Sequence, residues 1–412
     1  MLVAYTERVG FFQSVVSGSL SENHGETFTY LGQLSPCPAC PHQWSPALAV
    51  SEEGIFYLLT IDDQARISRS LDGGKSFVPA FSLKEPALFY PQLLVVGQKI
   101  YVLGTDLLGG QIVLFTMENE VVTGPIVVAQ ENAVLGRLVE LHGVLYCVFL
   151  RWPRAPLGLL PPFAIPDGLA GLGQDLVRQF CLANPAELCL SVSEDGGRTW
   201  RPPVCLGQIA IPYHVEEKVV SFISGGLEAP LLPNAGVDPK TGTIYIAYQS
   251  ATDAGKIEVN LMAVNQNLEV TLSPRPIGGK THNERFLPAI AVTEGGEIGI
   301  AFYELDPVAR KIDVYLGQSD DGGQTFRFRR VNSVSSPIPP VAGQPTRSGH
   351  FERSFYSGYI GESLGIATDE NFFYLAWVDF RNIITTPDYP EGRPDFDVYF
   401  RKVPIQWGAG SH

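Results

Sequence analysis

Ser70-Leu-Asp72-Gly73-Gly74-Lys75-Ser76-Phe77 decides the fold of this chain, because the same eight-residue pattern returns at Ser193-Glu-Asp195-Gly196-Gly197-Arg-Thr-Trp200 and at Ser319-Asp-Asp321-Gly322-Gly323-Gln-Thr-Phe326. A fourth copy, Ser21-Glu-Asn23-His24-Gly25-Glu-Thr-Phe28, keeps the spacing with Asn in place of Asp. Self-similarity of this kind marks a repeat architecture. An Asp or Asn side chain accepts hydrogen bonds from the N–H groups just after it, and Gly supplies the φ > 0 geometry of a tight reversal. The hydroxyl closes the loop and the terminal ring anchors it from below. Asn23, Asp72, Asp195 and Asp321 are therefore read as staples of turns between strands, not as catalysts.

Outward from these turns the chain reads as strands. Val, Ile, Tyr and Phe alternate with polar residues in short runs, and Gly 42 with Pro 32 imply many turns and few long helices. Trp44-Ser-Pro-Ala-Leu-Ala-Val opens one unit, Pro91-Gln-Leu-Leu-Val-Val the next, and Gly136-Arg-Leu-Val-Glu a third. Asn234-Ala-Gly-Val-Asp, Phe286-Leu-Pro-Ala-Ile-Ala-Val and Tyr359-Ile-Gly-Glu-Ser-Leu-Gly-Ile-Ala open three more. Two stretches break the rhythm: an insertion at about 151–187, with a short helix expected over 173–181, and a long Pro-rich loop at about 333–355. With 45% hydrophobic and 17% charged residues, the 412-residue chain can bury a large core as one domain spanning 1–412.

The S-x-D-x-G-x-x-[FW] pattern resembles the Asp boxes, or BNR repeats, of the sialidase superfamily. That resemblance implies an all-β fold, a β-propeller of four-stranded antiparallel blades; sialidases have six, and the strand count here permits six or seven. Trp377-Val-Asp379-Phe-Arg381 resembles the closing-blade motif of such proteins, with Glu362 and Ser363 where an Asp-Tyr pair is usual. The family's N-terminal Arg-Ile-Pro motif is absent. Asp379 and Arg381 are read as a structural pair between blades.

In a propeller a pocket forms where the connections next to the first strand of each blade gather. This selects His42, Gln43, Tyr90, Gln92, Arg137, Asn234, Glu284, Arg285, Tyr359 and Glu362, a polar and aromatic mix suited to a sugar. Sialidase chemistry, as the resemblance implies it, needs a Tyr nucleophile polarised by a Glu, an Asp acid/base and arginines that clamp the substrate carboxylate. Tyr356 or Tyr359 with Glu284 or Glu362, and Arg137, Arg285 and Arg353, are the residues that could fill those places. Three functions follow: a propeller binding a glycan or other surface ligand, an exo-sialidase-type glycoside hydrolase, and a structural module of a larger extracellular or virion assembly.

A net charge of −14 without a dense Lys/Arg face argues against nucleic acid. Arg327-Phe-Arg-Arg330 reads as an edge strand with solvated charges. No apolar run is long enough to span a bilayer, and no leader is visible at Met1-Leu-Val-Ala-Tyr, although the resemblance implies an extracellular or surface location. Of six cysteines, Cys147, Cys181, Cys189 and Cys205 fall around one blade and its insertion and allow disulfides there if the protein is exported, while Cys37-Pro-Ala-Cys40 reads as a small disulfide loop, a metal half-site or two free thiols. No second C-x-x-C completes a zinc site with Cys37 and Cys40. No cofactor is required; Asp62, Asp63, Asp306, Asp313, Asp395 and Asp397 sit in loops that could supply oxygens to Ca²⁺.

Overall fold

The computed structural model describes residues 1–10, 13–34, 43–62, 64–83, 88–106, 109–152, 185–211, 214–216, 219–221, 227, 229–252, 255–279, 282–338, 360–361, 364–386, 389–394 and 396–405. Among them there is no helix; the segment expected to be helical lies outside them. The chain divides into two compact units, Met1–Arg151 with Cys189–Val204, and Trp152–Leu188 with Cys205–His412.

The first unit begins with the sheet β1 (Leu2–Gly10), β2 (Gln13–Leu20) and β3 (Thr29–Gln33). Next come β4 (Trp44–Val50), β5 (Phe56–Ile61), β6 (Ala65–Ser70) and β7 (Val78–Leu83), then β8 (Leu88–Val96), β9 (Lys99–Asp106), β10 (Gln111–Glu118) and β11 (Val121–Ala129). A further sheet runs β12 (Ala133–Leu141), β13 (Val144–Arg151), β14 (Ala186–Ser193) and β15 (Val204–Ile209). The second unit holds the hairpin β16 (His214–Glu216) with β17 (Val219–Ser221), and the sheet β18 (Asn234–Asp238), β19 (Thr243–Ala251), β20 (Ile257–Val264) and β21 (Val270–Pro276). It continues with β22 (Glu284–Val292), β23 (Ile298–Asp306), β24 (Lys311–Ser319) and β25 (Arg327–Arg330), to which β26 (Ser336–Pro337) adds a bridge on β24. Last come β27 (Gly365–Thr368) and β28 (Phe372–Asp379), the hairpin β29 (Ile383–Thr386) with β30 (Tyr389–Pro394), and β31 (Asp397–Pro404), which pairs with β28.

Every pairing is between antiparallel neighbours, and each full sheet is a meander in chain order. The fold is thus all-β, a propeller of four-stranded antiparallel blades, and the blades number seven. The first and last have three strands among the described residues. Within each unit the first strands lie side by side: β4 against β8 and β8 against β12, and β18 against β22 and β22 against β27. Middle strands are covered on both faces, so they read as nearly unbroken apolar runs such as Ile298-Gly-Ile-Ala-Phe-Tyr303, all of it buried. Outer strands are exposed edges; Arg327–Arg330 is one, as its charges suggest.

Cores form between successive sheets. Leu59, Ile67, Val102 and Val113 join the second sheet to the third, and Tyr245, Leu261, Ile298 and Phe302 join β18–β21 to β22–β25. Cys189 and Cys205 are disulfide-bonded. Cys147 is a free, fully buried thiol, and burial pushes its pKa well above the usual range. Cys37, Cys40 and Cys181 lie outside the described residues.

Candidate functional site

The two ends of the sheets are built differently. At one end lie the repeated turns. Ser70 Oγ donates to Asp72 Oδ1 at 2.7 Å and accepts the Gly74 N–H at 2.8 Å, while Ser76 donates its N–H at 3.0 Å and its hydroxyl at 2.6 Å to the Asp72 carboxylate. Ser193, Asp195 and Thr199 repeat the set, with the Thr199 hydroxyl again at 2.6 Å, and so do Ser319, Asp321 and Thr325. The Thr199 hydroxyl and then its N–H hold Asp195 down to about 2, and the Ser70 hydroxyl leads in lowering Asp72. In the first copy the direction reverses: Asn23 Nδ2 donates to Thr27 Oγ1 at 2.8 Å. Each second glycine also seals its turn onto an adjoining core, Gly74 facing Leu2 and Leu20, Gly197 facing Leu114 and Tyr101, and Gly323 facing Leu261 and Leu272.

At the other end the first strands carry a repeated break. Register slips between Trp44 and Ala47, Phe89 and Gln92, Val134 and Arg137, and Phe286 and Ala289. Each slip contains a non-glycine residue at positive φ: Ser45 at 49°, Tyr90 at 51°, Leu135 at 59° and Leu287 at 50°. Three of the four are followed by proline, which has no N–H to give the ladder. These are β-bulges, and left-handed backbone there costs on the order of 1–2 kcal/mol each. Side chains of the preceding sheet collect the released donors. Leu135 N–H donates to Thr105 Oγ1 at 3.0 Å, and Leu287 N–H to Gln249 Oε1 at 2.7 Å, while Gln249 Nε2 donates to Pro230 O at 2.7 Å.

The residues expected to form the site fall at this bulged end as far as they are described. Gln43 is buried and its Oε1 accepts the Val16 N–H at 3.2 Å. Tyr90 is itself a bulge residue, and the Gln92 amide bridges to the next first strand, donating to Leu138 O at 2.8 Å and accepting its N–H at 2.6 Å. Arg137 is half-buried just after its bulge, and Asn234 opens β18 opposite Ala247. His42, Arg353, Tyr356, Tyr359 and Glu362 lie outside the described residues.

The second unit gives the densest polar group. Glu284 opens β22 only 3% exposed. Arg285, opposite Glu304 in the ladder, donates from Nε to Glu304 Oε2 at 2.8 Å and from Nη1 to Ile277 O at 2.8 Å, and its guanidinium lies 5.6 Å from the Phe302 ring centre and 5.9 Å from that of Phe328. Asn283 Nδ2 donates to the other Glu304 oxygen at 2.9 Å. Arg285 is thus occupied by its own sheet and its neighbour's carbonyl. Tyr303 stacks on Phe286 at 5.5 Å, donates its hydroxyl to Val378 O and accepts the Val378 N–H, both at 3.0 Å, which brings the end of β28 to the same place. There Asp379, 2% exposed, accepts the Trp377 indole N–H at 3.3 Å, the Arg381 N–H at 2.9 Å and the Arg381 guanidinium. The expected pairing of Asp379 and Arg381 is present, but inside one turn.

Sequence reasoning missed Tyr303, Glu304 and Gln249, whose roles depend on the slipped register. The signal that could have found them is the Ser-Pro, Tyr-Pro and Leu-Pro pairs recurring near the start of successive first strands. The described carboxylates proposed for Ca²⁺ are each engaged by protein donors: Asp62 by Arg66, Asp306 by Val308 and Ala309 N–H groups, Asp313 by Asn332 and Arg330, and Asp397 by Asn382. Asp63 and Asp395 lie outside the described residues. Glu187, Cys189 and Cys205 cluster as metal ligands would, but disulfide sulfurs offer no thiolate.

No protein-family model matches the chain, and no curated protein matches it. Among solved structures it is similar to the α-L-arabinanase of Penicillium chrysogenum complexed with arabinobiose, at 10% identity over 89% of this chain and 94% of that one, with a TM-score of 0.48. The α-L-arabinofuranosidase of Fusarium graminearum with arabinobiose shares 12% identity over 88% and 95%, also at 0.48. An endo-arabinase of Bacteroides thetaiotaomicron shares 12% over 73% and 95%, at 0.37. Likeness at this level says nothing of the chemistry of this chain's own residues.

Proposed function

We propose that this chain binds a glycan at the bulged end of its second unit, with Glu284 as the central polar contact. The observation that carries the reading is the buried Glu284 carboxylate on the first residue of a first strand, three positions before a bulge. Bulges recur beside sites because they re-aim side chains. The disulfide-bonded Cys189 and Cys205 suit an oxidising, extracellular or surface location.

A hydrolase of exo-sialidase type is the second reading, in which the same buried glutamate would polarise a tyrosine nucleophile. Arg285 counts against it, because Glu304 already holds that guanidinium. The test is binding and turnover across α-sialosides and α-L-arabinofuranosides with wild type and Glu284→Gln. Binding that Glu284→Gln abolishes, with an unchanged unfolding midpoint, is the expected result. Wild-type turnover of a fluorogenic sialoside, lost in Tyr356→Phe or Tyr359→Phe, establishes the hydrolase instead; absence of both binding and turnover removes both readings.

A further inference from the structure

In the β22–β23 ladder Glu284 lies opposite Leu305 and Phe286 opposite Tyr303, before the register slips. Side chains alternate along a strand, so Glu284, Phe286 and Tyr303 share one face of this sheet, and the stacked rings of Phe286 and Tyr303 agree. Tyr303 is the diagonal neighbour of Glu284, about 7–8 Å away between backbones. The strand β28 covers that face. Gly299, four residues before Tyr303 on β23, has no room for a Cβ, which would lie 2.5 Å from Phe373 Cε1. From Phe373 to Asp379 β28 runs without a slip, so Asp379 turns the same way as Phe373, toward the face that carries Glu284.

The end of β28 is fastened to this sheet on either side of Asp379. Phe380 donates its N–H to Ser336 Oγ at 2.8 Å, and Ser336 pairs with Ile312 of β24. On the other side β27 pairs with β28 as far as Ala376; at Val378 the Tyr303 hydroxyl meets both the C=O and the N–H at 3.0 Å, as a strand partner would. Tyr303 is 2% exposed. Burial, helped by the Asp379 carboxylate, pushes its phenol well above the usual range, so the hydroxyl keeps the proton that it donates to Val378 O. It is closed to a ligand and acts on its surroundings through Val378. Without it, two backbone groups between the sheets lose their partner, and the end of β28 has to shift to satisfy them.

We propose that Tyr303 is a positioning residue of the glycan site: its hydroxyl sets the spacing between Glu284 and the end of β28, and with it the width offered to a sugar. The assignment rests on the glycan reading above and adds what holds the wall facing Glu284. The full chain is titrated calorimetrically with 3′-sialyllactose and with arabinotriose, as wild type, Tyr303→Phe and Gln318→Leu, with unfolding midpoints measured alongside. Gln318 Nε2 donates to Pro404 O at 3.0 Å and so joins the same two sheets at the repeated-turn end. Well below every midpoint, Tyr303→Phe should weaken the bound sugar by about three- to tenfold, and Gln318→Leu should hold affinity within about twofold. Should Tyr303→Phe not fold, Phe286→Leu, which keeps the hydroxyl and loosens the ring that aims it, takes its place with a loss of at least about twofold expected. Equal affinity in wild type and the Tyr303→Phe or Phe286→Leu variant, or an equal loss in Gln318→Leu, overturns the positioning role while the glycan reading stands. A wild type that binds neither probe overturns both.

Discussion

At the repeated-turn end of the sheets each conserving pattern of Ser, Asp and Gly satisfies itself, whereas at the bulged end the first strands leave donors that only a neighbouring sheet can take up. Asp72, Asp195 and Asp321 receive all their bonds from within eight residues of sequence. Leu135 and Leu287 need Thr105 and Gln249, 30 and 38 residues away. The loudest sequence motif therefore marks turns whose aspartates are engaged from within their own loop. At the quiet end backbone strain is maintained by long-range contacts, and the proposed glycan contact lies there.

The contrast is broken most severely from the turn side. Gly197 has φ +88°, and a Cβ there would lie 2.6 Å from Leu114 Cδ2. Gly197→Val combines a left-handed β-branched residue with overpacking, so a loss of about 3–5 kcal/mol in denaturant unfolding is expected. Gly207→Ala, with open space around the Cβ and no positive φ, should stay within about 0.5 kcal/mol. A comparable loss in both would mean that the turn glycine does not seal its turn onto the adjoining core.

On the bulged side, Gln249 is 1% exposed and spans Pro230 and Leu287. Gln249→Ala strands a donor and an acceptor and opens a cavity, for a cost of about 2–4 kcal/mol. Gln249→Glu keeps the volume and the acceptor for Leu287 but loses the donor for Pro230 and buries a charge. It should therefore be no milder than alanine. Full stability in either variant would make the bulge self-sufficient, like the turns.

How much could be read in advance follows the same division. A turn that closes within eight residues writes its hydrogen bonds into local spacing, so the staples at Asn23, Asp72, Asp195 and Asp321, the all-β class and the blade order were legible. The Arg285–Glu304 pair and the Tyr303–Val378 bridge were not, because a one-residue bulge resets which side chains face each other. The hairpin β29–β30 was not legible either, since Thr385-Thr-Pro-Asp-Tyr-Pro shows no alternation. Its fixed base depends on Phe380, Arg381 and Asn382 meeting partners in two other segments, residues 333–336 and Asp397.

Two smaller effects compare the turns among themselves. Asp195 titrates at about 2, below an ordinary value near 4, because the Thr199 hydroxyl and N–H bind the ionised form. A depressed carboxylate adds stability above its unfolded pKa and loses it as the pH falls through its folded one. The unfolding midpoint should drop between about pH 4 and pH 2, and Asp195→Asn should remove part of that slope while leaving the turn formed. The smallest change is the reverse one, Asn23→Asp. Today Asn23 donates to Thr27 Oγ1 at 2.8 Å, whereas the three aspartates accept from their hydroxyls at 2.6 Å. A carboxylate at 23 turns the Thr27 hydroxyl around and makes that bond charge-assisted, in a turn whose Glu22 already pairs with Lys75 at 2.8 Å. A gain of about 0.5 kcal/mol at neutral pH is expected, vanishing below about pH 3. A gain that persists in acid would mean that the turn responds to side-chain shape, and that ionisation adds nothing to the staple.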